Sequence, residues 1–182
     1  MRHSRSISDL RADVAENCRV LLMLAEREGL SVLVTETVRD AEYQRMLAEK
    51  GYAAKGAVTP SFHAEHAGLA FDICKNEAGH EYDDPAFFIR VGEIGKMLGF
   101  SWGGDWGSFP DRPHFQWDAG ATYTSAMIRA KRYPPPMPRY EEEEMTQQQF
   151  DAMMENYLKR LAQQTPCLLY TSPSPRDGAT SR

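Results

Sequence analysis

The chain has 182 residues, 42% of them hydrophobic, enough for one compact domain to bury a core without covalent staples. A formal net charge of −5 disfavours a nucleic-acid partner, and no stretch approaches the ~20 consecutive apolar residues of a membrane span, so neither partner is expected. Cys18, Cys74 and Cys167 show no paired spacing, which excludes a cysteine-built zinc site and fits a reducing compartment.

The opening MRHSRSISDLRADVAENC is charged and lacks the apolar stretch of a signal peptide, predicting a chain made in the cytoplasm. From Asp9 to Glu28, Leu10, Val14, Cys18, Leu21 and Ala25 recur at three and four, predicting a helix with Ser8 or Asp9 as its cap and Gly29 at its end. LSVLVTETV alternates and is β-branched, a strand that delivers Arg39 to its end. RDAEYQRMLAEKG reads as a second helix closed by Gly51, and GYAAKGAVTPS as a loop. GLAFDIC is a strand with Leu69, Phe71 and Ile73 on one face and Ala70 and Asp72 on the other. DPAFFIRVGEIGKMLGF is a helix capped by Asp84 with Pro85 at its first position, and SWGGDW is a glycine-rich turn leading into a final strand, RPHFQW. Helices and strands alternate irregularly, which favours an α+β domain.

RYPPPMPRYEEEE changes composition abruptly. We therefore expect a domain over residues 1–130, a Pro-rich and acidic linker over 131–144, and a helix over 145–166 that begins a truncated C-terminal region. Residues 167–182, CLLYTSPSPRDGATSR, resemble translated sequencing-adaptor read-through and are expected to be non-biological.

Three features could meet in space: His63 or His66 with Asp72, the DRPH run at 111–114, and Arg39. A hydrolytic zinc ion takes three N or O ligands and keeps one position open, and two imidazoles with one carboxylate leave it one net positive charge. Asp111, three residues before His114, is placed to act as a general base without ligating. Arg39 cannot lose its proton and suits a growing oxyanion. HExxH, HxxEH, GxSxG, P-loop and GxGxxG patterns are absent.

Arg39 with Gln44 in RDAEYQ, then SFHAEHAGLAFD, WGGDW and DRPHFQ, stand in the order of four motifs of a known family. Residues 30–118 resemble the zinc D-alanyl-D-alanine carboxypeptidases and L-alanyl-D-glutamate endopeptidases, a group that includes many phage endolysins. The resemblance implies a small α+β domain of the Hedgehog/DD-peptidase type, with a central antiparallel sheet flanked by helices. It implies Zn2+ held by a histidine, Asp72 and His114, with Asp111 and Arg39 catalytic and Ser61, Gln44 and Trp102 at the substrate; Trp102 and Trp106 could equally be lids on the core. The implied partner is a peptidoglycan stem peptide, cut by a monomeric endolysin that acts on the wall after release; D-alanyl-D-alanine carboxypeptidase and a non-catalytic wall-binding module are the alternatives.

The family spaces its ligand histidine seven residues before the aspartate, where this chain has Glu65. His63 and His66 are the alternatives. His63 is favoured, because two inserted residues can bulge from a loop whereas a deletion must pull the strand or shift its register.

Overall fold

The computed structural model describes residues 1–51, 59–107, 109–140 and 155. The chain divides into two compact units, Met1–Tyr140 and Glu141–Arg182. The helix expected over 145–166, the acidic end of the linker, the tail at 167–182 and most of the GYAAKGAVTPS loop lie outside the described residues.

In chain order the first unit comprises α1 (Ala12–Arg27), β1 (Val32–Glu36), α2 (Ala41–Glu49), β2 (Ala70–Lys75), α3 (Pro85–Met97), β3 (Ser101–Trp102), β4 (His114–Gln116) and α4 (Ser125–Arg129). Among the described residues the strands form one antiparallel sheet in the order β1-β2-β4-β3. The fold is therefore α+β, with a central antiparallel sheet and flanking helices. No described helix is long and apolar enough to cross a membrane.

Alternation in β2 puts Leu69, Phe71 and Ile73 into the core, each fully buried with Leu21 of α1 and Ile94 of α3. Phe71 pairs in register with Phe115 of β4, and their rings stack at 5.4 Å. Burying each such side chain is worth about 1.5–3 kcal/mol. The opposite parity then turns Asp72 and its register partner His114 to the other face.

Three local expectations change. Ser8 and Asp9 lie in a 3-10 turn, Ile7–Asp9, and α1 starts after Arg11 without a side-chain cap. The Asp9 carboxylate instead accepts from the Ser4 hydroxyl at 2.6 Å. SWGGDW is partly strand: Ser101 and Trp102 pair with Gln116 and Phe115 as β3 before a 3-10 turn at Gly103–Asp105. The proline-rich run, read as linker, lies against α1 as far as Tyr140. Met137 is buried there, Arg11 donates to the carbonyls of Pro134 and Pro135 at 3.0 Å each, and Asn17 donates to that of Pro138 at 2.8 Å. Prolines lack N–H donors, but their carbonyls still accept, and Arg11 and Asn17 use them.

Candidate metal centre and cleft

β2 and β4 pair so that Asp72 and His114 are directly opposite, and a bulge in β1 between Val34 and Glu36 brings Glu36 opposite Asp72. The bulge admits one extra residue, so Glu36 rather than Thr35 joins this row across three strands. His63 arrives from the loop before β2. That loop holds the inserted residues in successive turns, Ala64 N to Ser61 O at 2.9 Å and Ala67 N to Ala64 O at 2.8 Å. Arg39 N then bonds His63 O at 2.8 Å, tying the loop to the end of β1.

His63 Nε2, His114 Nδ1 and Asp72 Oδ1 form a triangle with sides of 3.2, 3.0 and 3.3 Å. The outward ring nitrogens are committed elsewhere. His63 Nδ1 meets the Thr37 carbonyl at 2.8 Å, and a carbonyl only accepts, so Nδ1 carries the proton and Nε2 turns a lone pair inward. His114 Nε2 meets Gln116 Oε1 at 3.0 Å. Gln116 donates its amide to Asp118 at 2.8 Å, which fixes the amide oxygen toward His114. His114 Nδ1 therefore also points a lone pair inward.

Three acceptors facing one another at this spacing call for a cation. Two ligand atoms about 2.0–2.1 Å from a tetrahedral ion lie about 3.3–3.4 Å apart, close to the observed sides. The donor set, two neutral imidazoles and a carboxylate with their outer hydrogen bonds in place, thus fits a zinc ion. A proton competes for the same lone pairs. Burial works against charging His114, yet its hydrogen bond and charge interaction with Asp72 raise the imidazole above its ordinary value. Burial would likewise raise Asp72, but when protons occupy the inward nitrogens, the His63 charge and hydrogen bonds from both histidines hold its carboxyl well below the usual range.

The other sequence candidates separate clearly. Arg39, Gln44, Ser61, His63 and His114 all line one cleft of about 540 Å³. Arg39 is held there by Glu36 at 2.7 Å and Gln44 at 2.5 Å. Asp111 lies in the field of His114, Asp72, His63 and Arg39; burial pushes its carboxyl up and Asp72 adds to this, against the opposing pull of the other three. Its approach depends on Gly103, where a Cβ would run into the Asp111 carbonyl oxygen, and Asp111 N bonds Gly103 O at 2.9 Å.

His66 does not join the triangle: it is exposed and shares a hydrogen bond with the Tyr133 hydroxyl at 2.9 Å. Glu65 is also exposed and accepts from Arg2 at 2.7 Å. Trp102, for which substrate contact and a place over the core were both open, packs into the core. It is 6% exposed, its indole covers Gly92 and Gly104 where no Cβ would fit, and its N–H donates to Arg112 O at 2.7 Å. Trp106 is the tryptophan that lines the cleft, tilted on His114 at 5.1 Å.

Sequence reasoning missed Glu36, Thr37, Gln116, Asp118, Ser125 and Arg129. The alternation of His114, Gln116 and Asp118 along one strand face was a usable signal for the outer support of His114. A backbone carbonyl such as that of Thr37 leaves no signal at all.

Residues 55–117 match the family model described as D-alanyl-D-alanine carboxypeptidase. The chain is 32% identical over 123 residues to the peptidoglycan L-alanyl-D-glutamate endopeptidase CwlK of Bacillus subtilis (strain 168), covering 60% of this chain and 74% of the relative. It is 32% identical over 124 residues to the L-alanyl-D-glutamate peptidase of Listeria phage A118, covering 64% of this chain and 42% of that protein. Among solved structures, the L-Ala D-Glu endopeptidase ChiX of Serratia marcescens aligns with a TM-score of 0.49 and 23% identity, covering 63% of this chain and 86% of that one. On the extent of the match to the Bacillus relative, this chain belongs to the peptidase family of the D-alanyl-D-alanine carboxypeptidases and L-alanyl-D-glutamate endopeptidases.

Proposed function

We propose that the chain is a zinc peptidase that hydrolyses the L-alanyl-D-glutamate bond of peptidoglycan stem peptides, with the biology of a phage endolysin. The observation that carries the metal chemistry is the triangle of inward lone pairs on His63, His114 and Asp72. The choice of bond rests on two relatives named for that activity, one of them from a phage. One chain carries the whole set of residues, so a monomer suffices.

When bound, zinc supplies a positive charge that acidifies water and polarises the scissile carbonyl. His63, Asp72 and His114 would hold it, with Thr37 and Gln116 keeping the two imidazoles in the tautomer that could ligate. Asp111 takes a proton from the attacking water as the new C–O bond forms, and passes it to the amide nitrogen as the C–N bond breaks. Its raised pKa makes it the better proton acceptor. The Arg39 guanidinium, fixed by Glu36 and Gln44, stabilises the negative charge on the carbonyl oxygen. Ser61 and Gln44 line the path of the peptide.

Metal analysis with a peptidoglycan digest tests the proposal. The expected result is near one equivalent of zinc after dialysis against trace zinc, and new amino termini on D-glutamate. The description of the matching family model favours a second reaction, release of terminal D-alanine, which would appear as the free amino acid. Zinc below a tenth of an equivalent would overturn the enzyme reading in favour of a wall-binding module.

A further inference from the structure

Among the described residues the cleft is lined by two arginines, Arg39 and Arg129, and by no carboxylate. These two cations are not equivalent. Arg39 already donates to Glu36 and Gln44, so its charge is partly neutralised and its direction set. Arg129 is exposed at the end of α4, and among the described residues no carboxylate pairs with it. It stands in the wall of the cleft as a cation with no counter-ion among the described residues.

α4 is a fixed part of that wall. Thr124 caps it, Ile128 is fully buried beneath it, and Ser125 Oγ lies 3.2 Å from Ser61 Oγ on the loop that carries His63. Ser125 and Arg129, four apart, share one helix face, and both line the cleft. This wall lies beyond residue 117, where the match to the family model ends.

The chemistry of the proposed substrate supplies the missing anion. D-glutamate in a stem peptide continues the chain through its γ-carboxyl group. Its α-carboxylate is therefore free and sits on the carbon that bears the scissile nitrogen. We propose that Arg129 recognises this α-carboxylate, making α4 the specificity wall for a free D-glutamate rather than its α-amide. The inference rests on the L-alanyl-D-glutamate reading. A guanidinium matches a carboxylate with two parallel hydrogen bonds, a match that a neutral carboxamide cannot reproduce.

The test compares two synthetic peptides, L-Ala-γ-D-Glu-L-Lys and its D-isoglutamine counterpart, with the wild type, Arg129→Met and Arg129→Lys. The wild type should favour the free acid by about 10- to 100-fold in kcat/KM, the range of one charge-assisted contact. Arg129→Met should lose that factor on the acid, mainly through KM, and change by less than about twofold on the amide; Arg129→Lys should recover part of it. Calorimetry with the product γ-D-Glu-L-Lys, which keeps the carboxylate, should show the same loss of affinity. Equal treatment of acid and amide by the wild type, or equal losses on both in Arg129→Met, would overturn the assignment of Arg129 while leaving the cleaved bond established. Cleavage of neither peptide by the wild type would overturn the reading of the reaction and this inference together.

Discussion

Gln116 is held by Asp118 and in turn fixes His114, so a residue with no proposed ligand role decides which nitrogen of a proposed ligand is free. Removing such an outer hydrogen bond weakens metal binding by about 10- to 100-fold in well-studied sites. Gln116→Met should therefore lower zinc affinity by about that factor, measured by competition with a chromophoric chelator; unchanged affinity would remove Gln116 from the support of His114. Asp111→Asn should show the opposite pattern, with zinc retained and kcat reduced by about 10²–10⁴, the range of a lost general base. Wild-type turnover in that variant would end its assigned role. At this scale the motifs were readable, since His114, Asp72 and Asp111 stand in recognisable runs. His63 and His66 were separated only by where the loop turns.

Among the elements, the extended run 134–140 and α1 are joined through Asp13. Its carboxylate takes two bonds from Arg11 at 2.7 Å each and one from the Met137 amide. Burial would raise this carboxyl, but those bonds outweigh it and lower its pKa. A carboxyl depressed in the folded state contributes stability above its unfolded value of about 3.9, and loses it as pH falls through the lower folded value. Asp13→Asn should thus cost about 1 kcal/mol at pH 7, and the gap in Tm to the wild type should close as pH drops toward 3. A gap constant with pH would show that charge on Asp13 contributes nothing. The helices and strands were largely legible, because burial on one face imposes period 3.6 or 2 on the residues themselves. β3 was not, since two residues are too few to show a period, and the run 134–140 was not, since its partners are carbonyl oxygens common to every sequence.

For the whole molecule, the compact unit reaches Tyr140, ten residues past the boundary suggested by composition. A chain ending at residue 140 should unfold in one cooperative transition in urea. One ending at 130 loses buried Met137 and the acceptors for Arg11, Asn17 and the Trp117 indole, and should be less stable by about 2–4 kcal/mol. Equal midpoints for the two would return 131–140 to the status of a linker. Sequence alone determined the α+β class, the buried face of β2, the four motifs and hence the family, because each is written in local spacing. Tertiary structure decided which histidine meets Asp72 and His114, that Trp102 belongs to the core and Trp106 to the cleft, and that Arg129 stands in its wall. Those outcomes depend on strand register, a bulge and turns that bring together residues far apart in the chain, and such distances have no local signature.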